Sequence, residues 1–528
     1  EPPPPSIEQT GFRNEPIVDF SQDTNRRRMQ DALADVKKQL GRDYPAIVDG
    51  KPLEAPAWIE TANPSHLREI VGRFPKTSVA QAKSAIAAAS RAFPMWRDRE
   101  PGERSTALRK IAAAIRTRRF ELAAWQVYEC AKPWREADGD VCEAIDFLEY
   151  YARAAIALER GTELLQVPGE RNVLRYVPRG VVGVIAPWNF PLAIPCGMTA
   201  AALATGNTVV LKPAEQSPGC ALMLVRALRA GGVPASAIAL VPGEGEAGAT
   251  LVRHPDVATI AFTGSQPVGL EIVRSAAEMV PGQRHIKRVV AELGGKNCVI
   301  VDADADLDEA VPAIVASAFN YAGQKCSAAA RVLVHEAVSG PLLERIAGAV
   351  RVLVVGQADE LASDVPPVIE RAAQERVQRY AELARQTGQI AVQVPGAPDD
   401  GWFCAPLVAA ELPAGSPVLE EEIFGPVLAI ERVRSIEAAC DIVDALPYAL
   451  TGGLFSRDPA TVRYVSDRSP VGNLYINRGI TGAMVGRQPF GGNRLSGTGS
   501  KAGGPDYLHH FVEPRALTEN TMRHGLEV

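Results

Sequence analysis

A regular alternation beginning at Val181 constrains this chain more than any other feature. Val181–Ile185 is a short run without a charge, followed by a helical pattern at Leu192–Ala204, a second run at Thr208–Leu211 and a helix at Pro218–Ala230. Ala237–Val241, Ala247–His254, Val257–Phe262 and Val268–Ala277 repeat the rhythm. Strands separated by single helices build a parallel sheet covered on both faces. Ligands of such sheets bind beyond the carboxyl ends of the strands, so the loops after residues 185, 211, 241 and 262 matter most. A second alternation is expected to open near Val289. It runs through Asn297–Val301, a helix from Leu307 to Tyr321, and strands at Arg331–His335 and Val427–Arg432.

The fold class expected is therefore α/β, with two doubly wound parallel-sheet domains, a cleft between them and a small β element. That element comprises Asn172–Pro178 and Phe511–Thr518, exposed strands that either pair with each other or seek a partner subunit. Ahead of the sheets the chain is mainly helical. Met29, Leu33, Val36 and Leu40 mark a helix over 24–41. A strand pair at Ala46–Val48 and Trp58–Ala62 follows. Ser78-Val79-Ala80-Gln81 is a capping-box pattern opening a helix to Phe93. Further helices are expected from Pro101 through Leu122 and over Glu136–Ala157.

A chain of 528 residues with a net charge of −6 and no basic run longer than Arg26-Arg27-Arg28 is not built for nucleic acid. No stretch of about twenty apolar residues predicts a membrane span. Glu1-Pro2-Pro3-Pro4-Pro5 lacks an initiator methionine and the pattern of a signal peptide, so an extended, trimmed lead-in is expected. The eight cysteines are scattered without a Cys-x-x-Cys pair, which fits a reducing compartment such as the cytoplasm, the mitochondrial matrix remaining open. The seven histidines include no His-Glu-x-x-His, so no metal is expected. Asp302-Ala303-Asp304-Ala305-Asp306 resembles a calcium loop, yet Leu307 stands where the loop needs glycine, so helix-terminal carboxylates explain it better. Gly243-Glu244-Gly245-Glu246-Ala247-Gly248 matches a dinucleotide fingerprint but follows the third strand, and reads as a tight turn near the ligand.

Chemistry converges on Asn320-Tyr321-Ala322-Gly323-Gln324-Lys325-Cys326-Ser327. Small neighbours leave the sulfur approachable, and Lys325 is placed to favour thiolate. Glu292, beside Gly294-Gly295, supplies a separate base. Pro187-Trp188-Asn189-Phe190-Pro191 is a stiff loop whose Asn189 amide suits an oxyanion, although a turn asparagine bonding its own backbone would read the same. Lys212 and Glu215 end the second strand, where a ribose can bond to both and Glu215 would repel a 2′-phosphate. Phe262-Thr263-Gly264-Ser265 leads into a helix whose N-terminal donors suit a pyrophosphate, unless Thr263 and Ser265 are plain caps.

Together with Glu292-Leu293-Gly294-Gly295-Lys296, Gly323-Gln324-Lys325-Cys326 and Glu421-Glu422-Ile423-Phe424-Gly425-Pro426-Val427, these segments resemble the aldehyde dehydrogenase superfamily over about 60–515. Lys132-Pro133-Trp134-Arg135-Glu136, Glu143-Ala144-Ile145-Asp146-Phe147 and Thr481-Gly482-Ala483 through Gly504-Pro505 are similar to its L-glutamate γ-semialdehyde branch. The resemblance implies NAD as cofactor and a small-molecule substrate, oxidised through a thiohemiacetal and thioester on Cys326 to L-glutamate, the last step of proline degradation. Asn189 would hold the oxyanion, Glu292 would activate water, and Glu422 and Phe424 would lie at the nicotinamide end. Ile185, Pro187, Trp188, Gly243, Val268 and Leu293 complete the cofactor contacts expected. For the substrate it implies Ser327, Gly482 and Ala483 at the carboxylate and Phe190 and Phe490 about the aliphatic part. Glu143 would take the ammonium group, with a helix-surface salt bridge as its alternative, and Lys325 would bind the substrate, with a role only in lowering the thiol pKa as its alternative. Another carboxylate-bearing semialdehyde, or a non-catalytic scaffold with this fold, stays open. The expected division is a lead-in at 1–45, a cofactor domain at 46–288, a catalytic domain at 289–485 and a C-terminal segment at 486–528. Cys326 is expected between Asn189 on one domain and Glu292 on the other, in a homodimer or larger homo-oligomer formed by intersubunit sheet pairing of the two exposed strands.

Overall fold

The computed structural model describes residues 11–522, so the proline-rich start lies outside the described residues. Helix α1 (Asp23–Lys37) buries Met29, Leu33 and Val36 in the helical layer. Strands β1 (Trp58–Asn63) and β2 (His66–Pro75) form an antiparallel hairpin. The expected pairing of 46–48 with 58–62 is not formed. Asn63 Oδ1 accepts from the Ser65 N–H at 2.9 Å and turns the chain straight back into β2, while Ile47–Val48 pairs with Lys51–Pro52. Helix α2 (Val79–Arg97) begins at the expected capping box and runs past Phe93. One long helix from Pro101 was expected; there are two, α3 (Pro101–Thr117) and α4 (Arg119–Cys130), broken at Arg118 (φ −101°, ψ 18°). Ala131, left-handed at φ 48°, stops α4. Pro133 then precedes α5 (Trp134–Glu159), whose buried face supports the site.

Beyond β3 (Glu170–Pro178) come β4 (Val181–Ile185), α6 (Ala193–Ala204), β5 (Thr208–Lys212) and α7 (Pro218–Ala230). Then follow β6 (Ile238–Leu240), α8 (Gly245–Arg253), β7 (Val257–Thr263), α9 (Gln266–Ala277) and β8 (Arg288–Glu292). The five strands lie in the order β6-β5-β4-β7-β8, all parallel. The chain winds outward from β4 and returns at β7, so the crevice of the switch point opens between those two strands. Strand β8 was expected to open the second sheet; it is instead the edge of the first, because its residues pair with Thr259–Thr263.

The second sheet opens at β9 (Asn297–Val301) and continues through α10 (Leu307–Phe319), β10 (Ala329–His335), α11 (Glu336–Arg351), α12 (Arg371–Thr387) and β11 (Gln389–Gln393). Strands β12 (Leu407–Ala410), β13 (Val427–Val433), β14 (Thr451–Phe455) and β15 (Asn473–Ile476) complete it in the order β11-β12-β13-β10-β9-β14-β15. Only β11 is antiparallel to its neighbour. Asp306 caps α10 by accepting from the Asp308 N–H at 3.0 Å, and Asp302 and Asp304 both accept from the Ser456 hydroxyl. The two exposed strands pair with each other: β16 (Val512–Asn520) runs antiparallel to β3 from Val512 opposite Pro178 to Asn520 opposite Glu170. Among the described residues no helix is long and apolar enough to cross a membrane.

Candidate active site

The chain between α10 and β10 has an unusual backbone. Tyr321 and Ala322 both sit at φ 53° and Gly323 at φ 69°, so the helix expected to reach Tyr321 stops at Phe319. A non-glycine residue held in this region costs about 1–3 kcal/mol and persists only where its surroundings impose it. Here the Tyr321 hydroxyl donates to the Cys130 carbonyl at 2.9 Å, and Gly323 passes so close to the Gly425 carbonyl that a Cβ would collide. Buried Gln324 accepts from the Ile369 N–H (2.9 Å), and Asn297 at the start of β9 donates to the Cys326 (2.7 Å) and Ala328 (2.9 Å) carbonyls. Of the eight cysteines, all within the described residues, Cys326 alone is not buried.

Low solvation pushes the Cys326 thiol up to about 12, the carboxyls of Glu422, Glu292 and Glu143 add to the rise, and the Ser327 N–H opposes it. The expectation that Lys325 favours thiolate is not met. Its ammonium is buried and paired with Glu136 on α5 at 2.7 Å, so its charge is neutralised there rather than at the sulfur or a substrate. The resting form at neutral pH is the thiol, and its proton has to leave as the sulfur attacks.

Asn189 leaves the carboxyl end of β4 and is 4% exposed. Its Nδ2 donates to the Gln324 carbonyl at 3.0 Å, tying one amide hydrogen to the nucleophile loop and orienting the other. This replaces the alternative of a turn asparagine bonded to its own backbone. Glu292 ends β8, so it and Asn189 stand on the same sheet; the expectation that they face each other from two domains is corrected, and only Cys326 belongs to the second sheet. Glu292 accepts from the Gly492 N–H and the Ser500 hydroxyl, each at 2.9 Å. Burial raises its carboxyl to about 8 against those two donors. A carboxyl at this value can take a proton near neutral pH.

Most of the residues expected at the cofactor stand at or just beyond the carboxyl ends of the first sheet's strands. Ile185 stands opposite both Lys212 and Phe262 in the sheet. Lys212 Nζ bonds to Glu215 at 3.3 Å, and Glu215 is exposed. Ser265 occupies the N-cap position of α9 but its hydroxyl makes no capping bond, so the plain-cap alternative does not hold, and among the described residues the first-turn N–H groups of Gln266 and Val268 are left open to an anion. Val268, on that turn, is 51% exposed. Leu293 fills the space that Gly269 leaves, and Gly243 admits Ala247 against the start of α8. From the other sheet, Glu422 accepts from the Gly295 N–H at 3.0 Å, and Gly294 has no Cβ to obstruct its carboxylate. Glu422 is therefore no ordinary surface carboxylate. Phe424, held at φ 56°, meets Trp188 beyond Pro187 edge-to-face at 5.7 Å. An open helix N-terminus, an acidic residue at the end of β5 and a carboxylate with an aromatic wall opposite fit a dinucleotide.

The substrate-side residues are arranged less tightly. Ser327 is buried next to the nucleophile. Gly482 is left-handed (φ 76°) with open space around it, and neither its N–H nor that of Ala483 has an acceptor among the described residues. Phe190 and Phe490 are both partly exposed. Glu143 makes no ion pair among the described residues, which removes the surface salt bridge, and burial with Asp140 nearby raises it to about 8. Sequence reasoning assigned no role to Asn297, Gln324, Lys132, Asp140 or Ser500. Lys132, Gln324 and Ser500 fall inside motifs that carry the resemblance, but their roles rest on buried hydrogen bonds to segments far apart in the chain.

A family model described as the aldehyde dehydrogenase family matches residues 53–517. The 1-pyrroline-5-carboxylate dehydrogenase 1 of Halalkalibacterium halodurans is 43% identical over 509 residues, 96% of this chain and 99% of that one. A point mutant of the Thermus thermophilus 1-pyrroline-5-carboxylate dehydrogenase superposes with a TM-score of 0.94 at 43% identity, covering 96% of this chain and 99% of that one. A Thermus structure of that dehydrogenase with bound NAD matches equally, at a TM-score of 0.94. Proline utilization A from Bdellovibrio bacteriovorus gives 0.96 at 43% identity, with 98% of this chain spanning 54% of the larger one. The chain belongs to the aldehyde dehydrogenase family.

Proposed function

We propose that this chain oxidises L-glutamate γ-semialdehyde, the open form of Δ1-pyrroline-5-carboxylate, to L-glutamate with NAD. The observation that carries the reading is the convergence on one loop of the single unburied thiol, an amide tied to that loop and a carboxyl able to accept a proton. The names borne by relatives matching nearly the whole chain supply the substrate.

The Cys326 thiol adds across the aldehyde C=O, its sulfur bonding to the carbon and its proton ending on the oxygen, to give a thiohemiacetal. The free Asn189 amide hydrogen and the Cys326 main-chain N–H face the developing oxyanion. Bound NAD would supply the acceptor for the hydride leaving that carbon, while the hydroxyl proton passes to water and a thioester remains. Glu292 takes a proton from the attacking water, and the acid is released with Cys326 again a thiol. Ser327 and the free N–H groups of Gly482 and Ala483 hold the substrate carboxylate as an oriented nest. Glu143 accepts the ammonium, and Phe190 and Phe490 flank the chain between. Glu215 excludes a 2′-phosphate, which supports NAD over NADP. Eight free thiols accord with a cytoplasmic location. The outer edge of β16 pairs with no strand among the described residues, which supports a homo-oligomer.

Steady-state NADH formation from pyrroline-5-carboxylate, succinate semialdehyde and simple alkanals tests the assignment. Preference for the first is expected; equal efficiency on all three would overturn it.

A further inference from the structure

Lys132 and Asp140 form the one ion pair among the described residues whose two side chains are both wholly buried, and the mechanism gives it no role. The two meet at 2.7 Å. Lys132 lies between left-handed Ala131 and Pro133, so a tight turn delivers its side chain inward rather than to solvent. Its ammonium also donates to the main-chain carbonyl of Asn189 at 2.9 Å and lies 3.7 Å from the centre of the Phe190 ring. The other Asp140 oxygen accepts from the N–H of Ala193, where the same loop enters α6. Tyr321, at the start of the left-handed approach to Cys326, has its ring 5.4 Å from the ammonium.

Stability alone does not account for such a pair, because desolvation offsets its attraction and apolar side chains of similar volume serve as well. Placement does. Asp140 holds the lysine and the far end of the loop, and the lysine holds the carbonyl of Asn189 and the face of Phe190. A point charge with several donors can fix two adjacent residues at once, which no apolar side chain does. We propose that Lys132, held by Asp140, is a positioning residue that aims the Asn189 amide at the aldehyde oxygen and sets the Phe190 ring against the substrate chain. This rests on the reading of Asn189 as the oxyanion donor.

The test compares the full-length wild type with Lys132→Met and with the charge-neutral double variant Lys132→Met/Asp140→Asn, which keeps an acceptor for Ala193 and carries the test if the single variant does not fold. Two rates are read: kcat/KM for aldehyde oxidation, and alkylation of Cys326 by iodoacetamide, which attacks a saturated carbon and develops no oxyanion. The expected result is a fall of about tenfold or more in kcat/KM with alkylation held within about twofold, since only carbonyl addition needs the aimed donor. The melting temperature of the double variant should stay near that of the wild type while its kcat/KM remains low. Unchanged kcat/KM in a folded variant, or a parallel fall in both rates, would overturn the proposal. Asn189→Ala separates the two levels. Full activity there refutes the oxyanion reading itself, whereas lost activity there with intact Lys132 variants refutes this proposal alone.

Discussion

Removing the Ser500 hydroxyl should shift the pH at which the enzyme hydrolyses its thioester. Glu292 is held by two donors, the Gly492 N–H and the Ser500 hydroxyl, each at 2.9 Å, while burial sets its carboxyl at about 8. Both donors stabilise the ionised form, so Ser500→Ala raises the carboxyl further and the base appears only at higher pH. A hydrogen bond to a charged group contributes about 1.5–3 kcal/mol, which at 1.36 kcal/mol per unit is a rise of about one unit or more. The basic form is lost as pH falls through the Glu292 value, so the variant is slower by about tenfold at pH 7 and equal to the wild type well above both values. The assay is a single-turnover one: acyl-enzyme is formed with NAD, and its decay is followed between pH 6 and about 10.5, the range in which both limbs fall. A decay limb that stays in place in Ser500→Ala, or moves to lower pH, would refute the assignment of Ser500 as a donor to the catalytic base.

Three further changes probe other parts of the site. Gly323→Ala forces a side chain at φ 69° against the Gly425 and Ala318 carbonyls, so a loss of about 1–3 kcal/mol is expected; an unmoved denaturation midpoint would contradict that. Gly294→Ala places a methyl on the Glu422 carboxylate and should raise KM for NAD while leaving the Cys326 alkylation rate alone, as measured by initial rates and thiol labelling. Ser327→Ala should raise KM for the semialdehyde far more than it lowers kcat, and an unchanged KM removes Ser327 from the carboxylate nest.

The first sheet is legible because wholly buried parallel strands such as Val181–Ile185 are short runs without a polar side chain, separated by helical patterns. The capping box at Ser78 was legible for a similarly local reason, whereas the sequence left open whether the two exposed strands pair with each other or with a partner subunit. Arg118 breaks a helix without a proline or glycine to announce it. Strand Arg288–Glu292 lies so near Asn297–Val301 that the two read as one alternation. The crossing between sheets is made by Leu293-Gly294-Gly295-Lys296 with no intervening helix. Within the site, Cys326, Asn189 and Glu292 stood out because their chemistry needs particular neighbours. Lys132 did not, since a lysine in sequence reads as surface, and its burial depends on Asp140, the Asn189 carbonyl and the Phe190 ring, none of them its neighbour in sequence. Lys325 was misread for the converse reason: proximity in sequence to Cys326 suggested an electrostatic partnership, but its side chain turns to Glu136.

Intact-mass and peptide-level analysis of Glu292→Gln, mixed with pyrroline-5-carboxylate and NAD, tests the central claim most directly. Without the base, the thioester should accumulate. The account predicts one glutamyl group per chain, located on the peptide containing Cys326, formed only when NAD is present and matched by one equivalent of NADH. An adduct on another residue, or NADH formed without any adduct while turnover continues, would contradict it.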